Sequence, residues 1–153
     1  MDPAKRYRVL FVCLGNSCRS PIAEAIATHK AADVIVPVSG GTIPLGFVAP
    51  MTLRVLEERG MGVEGLASTP ITRGMRENAE IIVNMTGSPA SRFFQGEESK
   101  TEDWTITDPY GKQFDEYQKT YDEIDARMTE FAARLRARRA GKQVPAAPAN
   151  GGD

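Results

Sequence analysis

Apolar positions along this chain follow two alternating periods. Arg8-Val9-Leu10-Phe11-Val12 is β-branched and almost continuously apolar, as expected of a strand covered on both faces. It gives way through Gly15-Asn16 to Ser20-Pro21-Ile22-Ala23-Glu24-Ala25-Ile26-Ala27, which reads as a helix with Ser20 as N-cap and Pro21 at the first helical position. Val34 to Val38 predicts a second strand, and Pro37 within it predicts a sheet edge. After the loop Ser39-Gly40-Gly41-Thr42, a helix is expected over Met51 to Arg59, stopped by Gly60, and a shorter one over Ile71 to Asn78. Ala79 to Met85 reads as a buried strand and Trp104 to Thr107 as a last short one. From Phe114, the residues Phe114, Tyr117, Tyr121, Ile124, Met128, Phe131 and Leu135 step by three and four, one stripe of a long closing helix laid on its own sheet. Strands alternating with helices predict right-handed crossovers and an α/β fold with a parallel sheet covered on both faces.

Residues 1–139 are expected to form a single domain, because 153 residues suffice for one core. Residues 140–153 turn to Gly, Pro, Ala and Asn and read as a disordered tail. The net charge of −1 gives no field for nucleic acid or an anionic membrane, so any anion binding must be local. The apolar run Val9 to Leu14 is too short to span a bilayer and no targeting motif follows it, which predicts a soluble, cytoplasmic protein. Two cysteines, Cys13 and Cys18, are too few for a secreted disulfide framework and fit a reducing compartment. With only His29 beside them they make no plausible tetrahedral metal set, so neither metal nor cofactor is expected. His29 itself is expected to face solvent.

The chemistry concentrates in Cys13-Leu14-Gly15-Asn16-Ser17-Cys18-Arg19-Ser20, lodged between a strand and a helix N-terminus. A loop there turns several backbone amides inward and adds the positive end of the helix dipole, so it can cradle a phosphate dianion without metal. The same field favours thiolate at Cys13, the candidate nucleophile. Arg19 can hold two phosphoryl oxygens at once and grip hardest as charge builds in the transition state. Ser20 can donate to the Cys13 sulfur and ease its departure, a role that competes with capping. Gly15 permits close backbone approach and Asn16 tolerates a left-handed conformation. Two buried structural cysteines alone would not explain why Gly, Asn, Arg and Ser gather before a helix.

Cys13 to Pro21, with the preceding strand, resembles the signature loop of low-molecular-weight protein-tyrosine phosphatases. Ser39-Gly40-Gly41-Thr42 is similar to that family's Ser-Ala-Gly-Thr, Ala79 to Met85 to its core strand, and Asp108-Pro109-Tyr110-Gly111 to its general-acid loop. The resemblance spans residues 8 to about 138 and implies a three-layer sandwich with a four-stranded parallel sheet of order 2-1-3-4. It implies a phosphocysteine intermediate on Cys13, with Asp108 giving a proton to the leaving group and then activating water. Tyr110 would form an aromatic wall, thinned by Gly111, and Ser39 would hold Asn16. The family's usual histidine beside that asparagine corresponds to Leu66, which puts one supporting hydrogen bond in doubt.

The main expectation is a protein-tyrosine phosphatase acting on a phosphorylated protein, as a monomer or weak homodimer. Ser17 keeps an alternative open, because it resembles the threonine of bacterial protein-arginine phosphatases rather than the bulky apolar residue of tyrosine-specific relatives. A thioredoxin-coupled arsenate reductase would need further cysteines after Cys18, and none occurs. A phosphate-binding adaptor would not need every reacting group. Cys18 could trap oxidised Cys13 as a disulfide or simply pack beneath the loop.

Overall fold

A computed structural model describes residues 2–142; most of the expected tail, residues 143–153, lies outside the described residues. The elements are β1 Tyr7–Cys13, α1 Arg19–Lys30, β2 Ile35–Gly41, α2 Pro50–Glu58, α3 Arg73–Asn78, β3 Ile81–Asn84, α4 Ala90–Phe93, β4 Thr101–Asp103 and α5 Phe114–Arg139. A single 3-10 turn, Glu98–Lys100, precedes β4. All neighbouring strands are parallel in the order β2-β1-β3-β4, so the expected α/β sandwich and strand order hold. Pro37 lies on the edge strand β2, where its missing donor is tolerated.

The two faces of β1 explain its unbroken apolar run. Val9, Phe11 and Cys13 join the larger core beneath α1, α2 and α5, while Leu10 and Val12 join a smaller cluster with Ala79, Ile82 and Phe94. Trp104 anchors the larger core, stacked edge-on against Phe131 at 5.6 Å between ring centroids. The stripe predicted on α5 is buried from Tyr117 to Leu135, and Phe114 at its start carries the Arg54 guanidinium 3.8 Å above its ring.

Strand β2 runs on through Ser39, Gly40 and Gly41, expected as loop, and β3 is shorter than Ala79 to Met85. Three further boundaries differ from expectation for identifiable reasons. The last strand is Thr101–Asp103, not Trp104 to Thr107. Trp104 and Ile106 are buried, but the Ile106 carbonyl accepts from Arg19 Nη1 at 3.2 Å instead of joining a strand ladder. Helix α3 begins at Arg73 because the Thr72 hydroxyl caps the Met75 amide at 3.1 Å. Helix α1 begins at Arg19 with Cys18 at the N-cap position and no side-chain cap, so Ser20 is helical and its hydroxyl is committed elsewhere.

The C-terminal turn of α5 is tied to the α1–β2 connection through Asp33. Arg136 approaches both carboxylate oxygens at 2.9 Å, and Arg139 adds a contact at 3.1 Å. The Arg136 hydrogen bond, against a smaller desolvation effect, lowers the Asp33 carboxyl from 3.8 to about 2. A depressed acid stabilises the fold above its unfolded value and loses that contribution as pH falls through the folded value. Asp33→Asn is therefore expected to lower Tm by roughly 2 °C near neutrality, a small effect because the pair is solvent-screened. In melts recorded between pH 7 and pH 2, the gap to the unmodified protein should begin to narrow near pH 4 and be mostly gone by about pH 2.

Candidate active site

The loop between β1 and α1 is shaped by what holds its carbonyls. The Cys13, Leu14, Gly15 and Ser17 carbonyls accept from the amides of Thr42, Ile43, Leu45 and Ala49 at 3.2, 2.8, 3.0 and 3.1 Å. Ser68 Oγ adds a bond to the Gly15 carbonyl and Thr52 Oγ1 one to the Ser17 carbonyl. In a trans peptide the N–H points opposite to the C=O. Pinning these carbonyls against the 42–52 segment thus turns the amides of Leu14, Gly15, Asn16 and Cys18 to the other side, into an inward-facing nest.

Two glycines make that scaffold possible. A Cβ on Gly41 would stand 2.7 Å from the Leu14 carbonyl oxygen and 3.0 Å from Asn16, and one on Gly40 would stand 2.8 Å from Ile71. Asn16 takes a left-handed backbone, φ 46°, the only non-glycine positive φ among the described residues. Its side chain secures the bend: Oδ1 accepts from the Thr69 amide at 2.9 Å, and Nδ2 donates to Ser20 Oγ at 2.7 Å and Ser39 Oγ at 3.0 Å. The bond placed in doubt by Leu66 is therefore not missing, since a backbone amide supplies it. Leu66 packs against the core.

Cys13 is buried, with Sγ 3.0 Å from Ser20 Oγ and 3.5 Å from the Ser20 amide. Arg19 is also buried. Its Nη1 is spent on the Met85 carbonyl at 2.7 Å and the Ile106 carbonyl, while Nε is buried without a partner. Nη2 faces Asp108 Oδ2 at 3.4 Å. Asp108 Oδ1 accepts from the Tyr110 amide at 3.1 Å, and Gly111, φ 81°, turns the loop. Cys13, Ser17, Arg19, Asp108 and Tyr110 line one cavity of about 230 Å³, closed on its apolar side by Ile43 and Leu45.

Every residue singled out in the signature and acid loops is thus brought to one cavity or its immediate support. Cys18 points its thiol at the Tyr117 hydroxyl at 3.6 Å; burial pushes it above its usual range, and burial likewise raises Tyr117. His29 is exposed as expected, although its Nε2 accepts the Gly62 amide at 2.7 Å. Sequence reasoning missed the carbonyls of Met85 and Ile106, the hydroxyls of Thr52 and Ser68, and Glu24, whose Oε1 accepts from Ser39 Oγ at 2.5 Å. A lone carboxylate on the apolar face Ile22 to Ala27 was the available signal for Glu24. Among the described residues no group of three or more His, Cys, Asp or Glu could hold a metal ion, and no helix is long and apolar enough to cross a membrane.

A strand, a nest of inward amides, a buried thiol and a clamped arginine define a cysteine-dependent enzyme of the low-molecular-weight phosphatase type. Residues 8–141 match the model of the low molecular weight phosphotyrosine protein phosphatase family, and the chain belongs to that family. It is 30% identical over 145 residues to the protein-arginine-phosphatase of Bacillus subtilis (strain 168), covering 84% of this chain and 96% of that one. It is 26% identical over 129 residues to the glutaredoxin arsenate reductase of Synechocystis sp., covering 84% and 98%. The solved YwlE arginine phosphatase from Geobacillus stearothermophilus superposes with a TM-score of 0.80 at 25% identity, covering 92% of this chain and 99% of that one.

Because Gly41 abuts the Leu14 carbonyl, Gly41→Ala should push the nest open. Calorimetric titration with tungstate, an oxyanion of phosphate-like geometry, is expected to show at least a roughly tenfold loss of affinity, about the contribution of one charge-assisted hydrogen bond. Gly60→Ala, strained by φ 76° but far from the loop in sequence and with open space around it, should cost stability without that loss.

Proposed function

We propose that the chain removes phosphate from phosphorylated protein side chains in two steps through Cys13. The Cys13 thiolate attacks phosphorus while the bond to the leaving atom breaks, and the Asp108 carboxyl protonates that atom. Asp108, now a carboxylate, takes a proton from water, which attacks the phosphocysteine. Phosphate leaves and the thiolate returns, supported by the Ser20 hydroxyl. Arg19 and the inward amides carry the charge on the equatorial oxygens through both steps. The observation that carries this reading is the state of Arg19. With Nη1 held by two carbonyls, its Nε–Nη2 edge is the one left for two oxygens of a phosphoryl group.

Phosphoarginine is the substrate class the site supports best. Ser17 lines the cavity and its buried hydroxyl has no hydrogen-bond partner. A guanidinium brings N–H donors that such an oxygen can accept, whereas an aromatic ring would leave it unsatisfied. The likeness to two arginine phosphatases adds to this. Phosphotyrosine is the second reading, favoured by the apolar rim of Ile43, Leu45 and Tyr110, on which a ring could lie. Arsenate reduction fits poorly, because no thiol follows Cys18 to continue a redox relay. Cys18, turned toward Tyr117, fits packing better than exchange, and two free thiols fit a reducing, cytoplasmic setting.

Para-nitrophenyl phosphate turnover should vanish in Cys13→Ser and fall about 10²–10⁴-fold in Asp108→Asn. Turnover that survives Cys13→Ser would sink the mechanism. Ser17→Ile is expected to lower kcat/KM for phosphoarginine peptides at least about tenfold and to spare phosphotyrosine peptides. Equal effects on both would remove Ser17 as the determinant of selectivity.

A further inference from the structure

We propose that Glu24 is a positioning residue for Cys13: by taking the Ser39 proton it keeps Ser39 an acceptor for Asn16, the amide that orients Ser20 toward the sulfur. The inference rests on Cys13 being the nucleophile and extends it to a side chain outside the loop.

The direction follows from counting protons. The Thr69 amide donates to Asn16 Oδ1 at 2.9 Å, which fixes which end of the amide is which. Asn16 Nδ2 then has two hydrogens, spent on Ser20 Oγ at 2.7 Å and Ser39 Oγ at 3.0 Å. Both hydroxyls are therefore acceptors from Asn16, and each has a single proton to place. Ser39 places its own on Glu24 Oε1 at 2.5 Å, and Ser20 has Cys13 Sγ at 3.0 Å. Glu24 is thus the acceptor at one end of a chain whose other end donates to sulfur.

Without an acceptor at position 24, the Ser39 hydroxyl can rotate and present its proton to the Asn16 amide, donor against donor. The Asn16 side chain would then lose one of the three bonds that hold its left-handed backbone, and the amide that orients Ser20 would be held less firmly. Burial raises the Glu24 carboxyl, opposed by the Ser39 bond. The direction survives protonation at Oε2, which leaves Oε1 an acceptor. Charge is not what the relay needs. Glu24 lines a separate cavity with His29, Glu64 and Leu66, so water can reach this end. His29 Nε2 is already occupied by the Gly62 amide.

Glu24→Gln keeps an acceptor without charge, Glu24→Met fills similar space without an acceptor, and Glu24→Ala removes both. The rate of Cys13 alkylation by iodoacetamide is read at one mildly acidic pH, by mass spectrometry of the peptide so that Cys18 is counted separately. Glu24→Ala and Glu24→Met should alkylate about five- to tenfold more slowly, the effect of one hydrogen bond, while Glu24→Gln stays within about twofold of the unmodified protein. Para-nitrophenyl phosphate kcat should follow the same order, and Tm should not. The inference is overturned if Glu24→Gln is slowed as much as Glu24→Met, or if Glu24→Met alkylates at the unmodified rate. Failure of the nucleophile reading looks different: Cys13 of the unmodified protein would then alkylate no faster than Cys18.

Discussion

A peptide plane has two edges, and the phosphatase loop depends on which edge is given away. Four carbonyls between Cys13 and Ser17 are taken by a single run of backbone, the amides of Thr42 to Ala49, that crosses behind the loop. Once those carbonyls are held, the opposing amides have no freedom to turn outward, and a nest for an anion is obtained without any charged side chain beyond Arg19. The unusual features nearby are consequences of this contact. Gly40 and Gly41 let the second strand's end come close enough, Asn16 accepts a left-handed backbone where the loop must bend, and α1 begins without a side-chain cap. An N-cap side chain would occupy the amides that the proposed reaction needs for phosphate.

Much of this was legible in the sequence because the signals were local. The apolar run of β1, the Gly15-Asn16 bend and the α5 stripe each carry their own period or backbone demand, and the structure follows them. What could not be read depended on partners distant along the chain. Trp104 and Ile106 alternate like strand residues, yet burial alone does not say whether a carbonyl joins a ladder or, as at Ile106, serves an arginine 87 residues away. Ser20 has the chemistry both of a cap and of a donor to sulfur, and only the position of Cys13 decides between these two expected roles. Leu66 suggested a lost hydrogen bond because side chains are visible in a sequence and backbone donors are not; the Thr69 amide fills the role. Glu24, on α1, was passed over because its meaning depends on Ser39, a residue of β2.

The pairing of Arg19 with Asp108 links the binding and proton-transfer parts of the proposed reaction. A buried guanidinium with an unmatched donor edge is costly, and Asp108 Oδ2 at 3.4 Å supplies partial compensation. That compensation is weak by design of the geometry, since the contact is long and the Asp108 side chain is 46% exposed whereas that of Arg19 is 6% exposed. A phosphoryl dianion meeting the Nε–Nη2 edge with two short contacts therefore outcompetes one distant carboxylate. The exchange leaves the arginine balanced in both states, so binding need not carry the cost of stripping a strong ion pair. It also releases the carboxyl, which lines the same cavity as Cys13 on a loop that Pro109 stiffens and Gly111 turns, where the proposed reaction needs a proton donor. Position thus suits Asp108 to handle the proton in the proposed reaction.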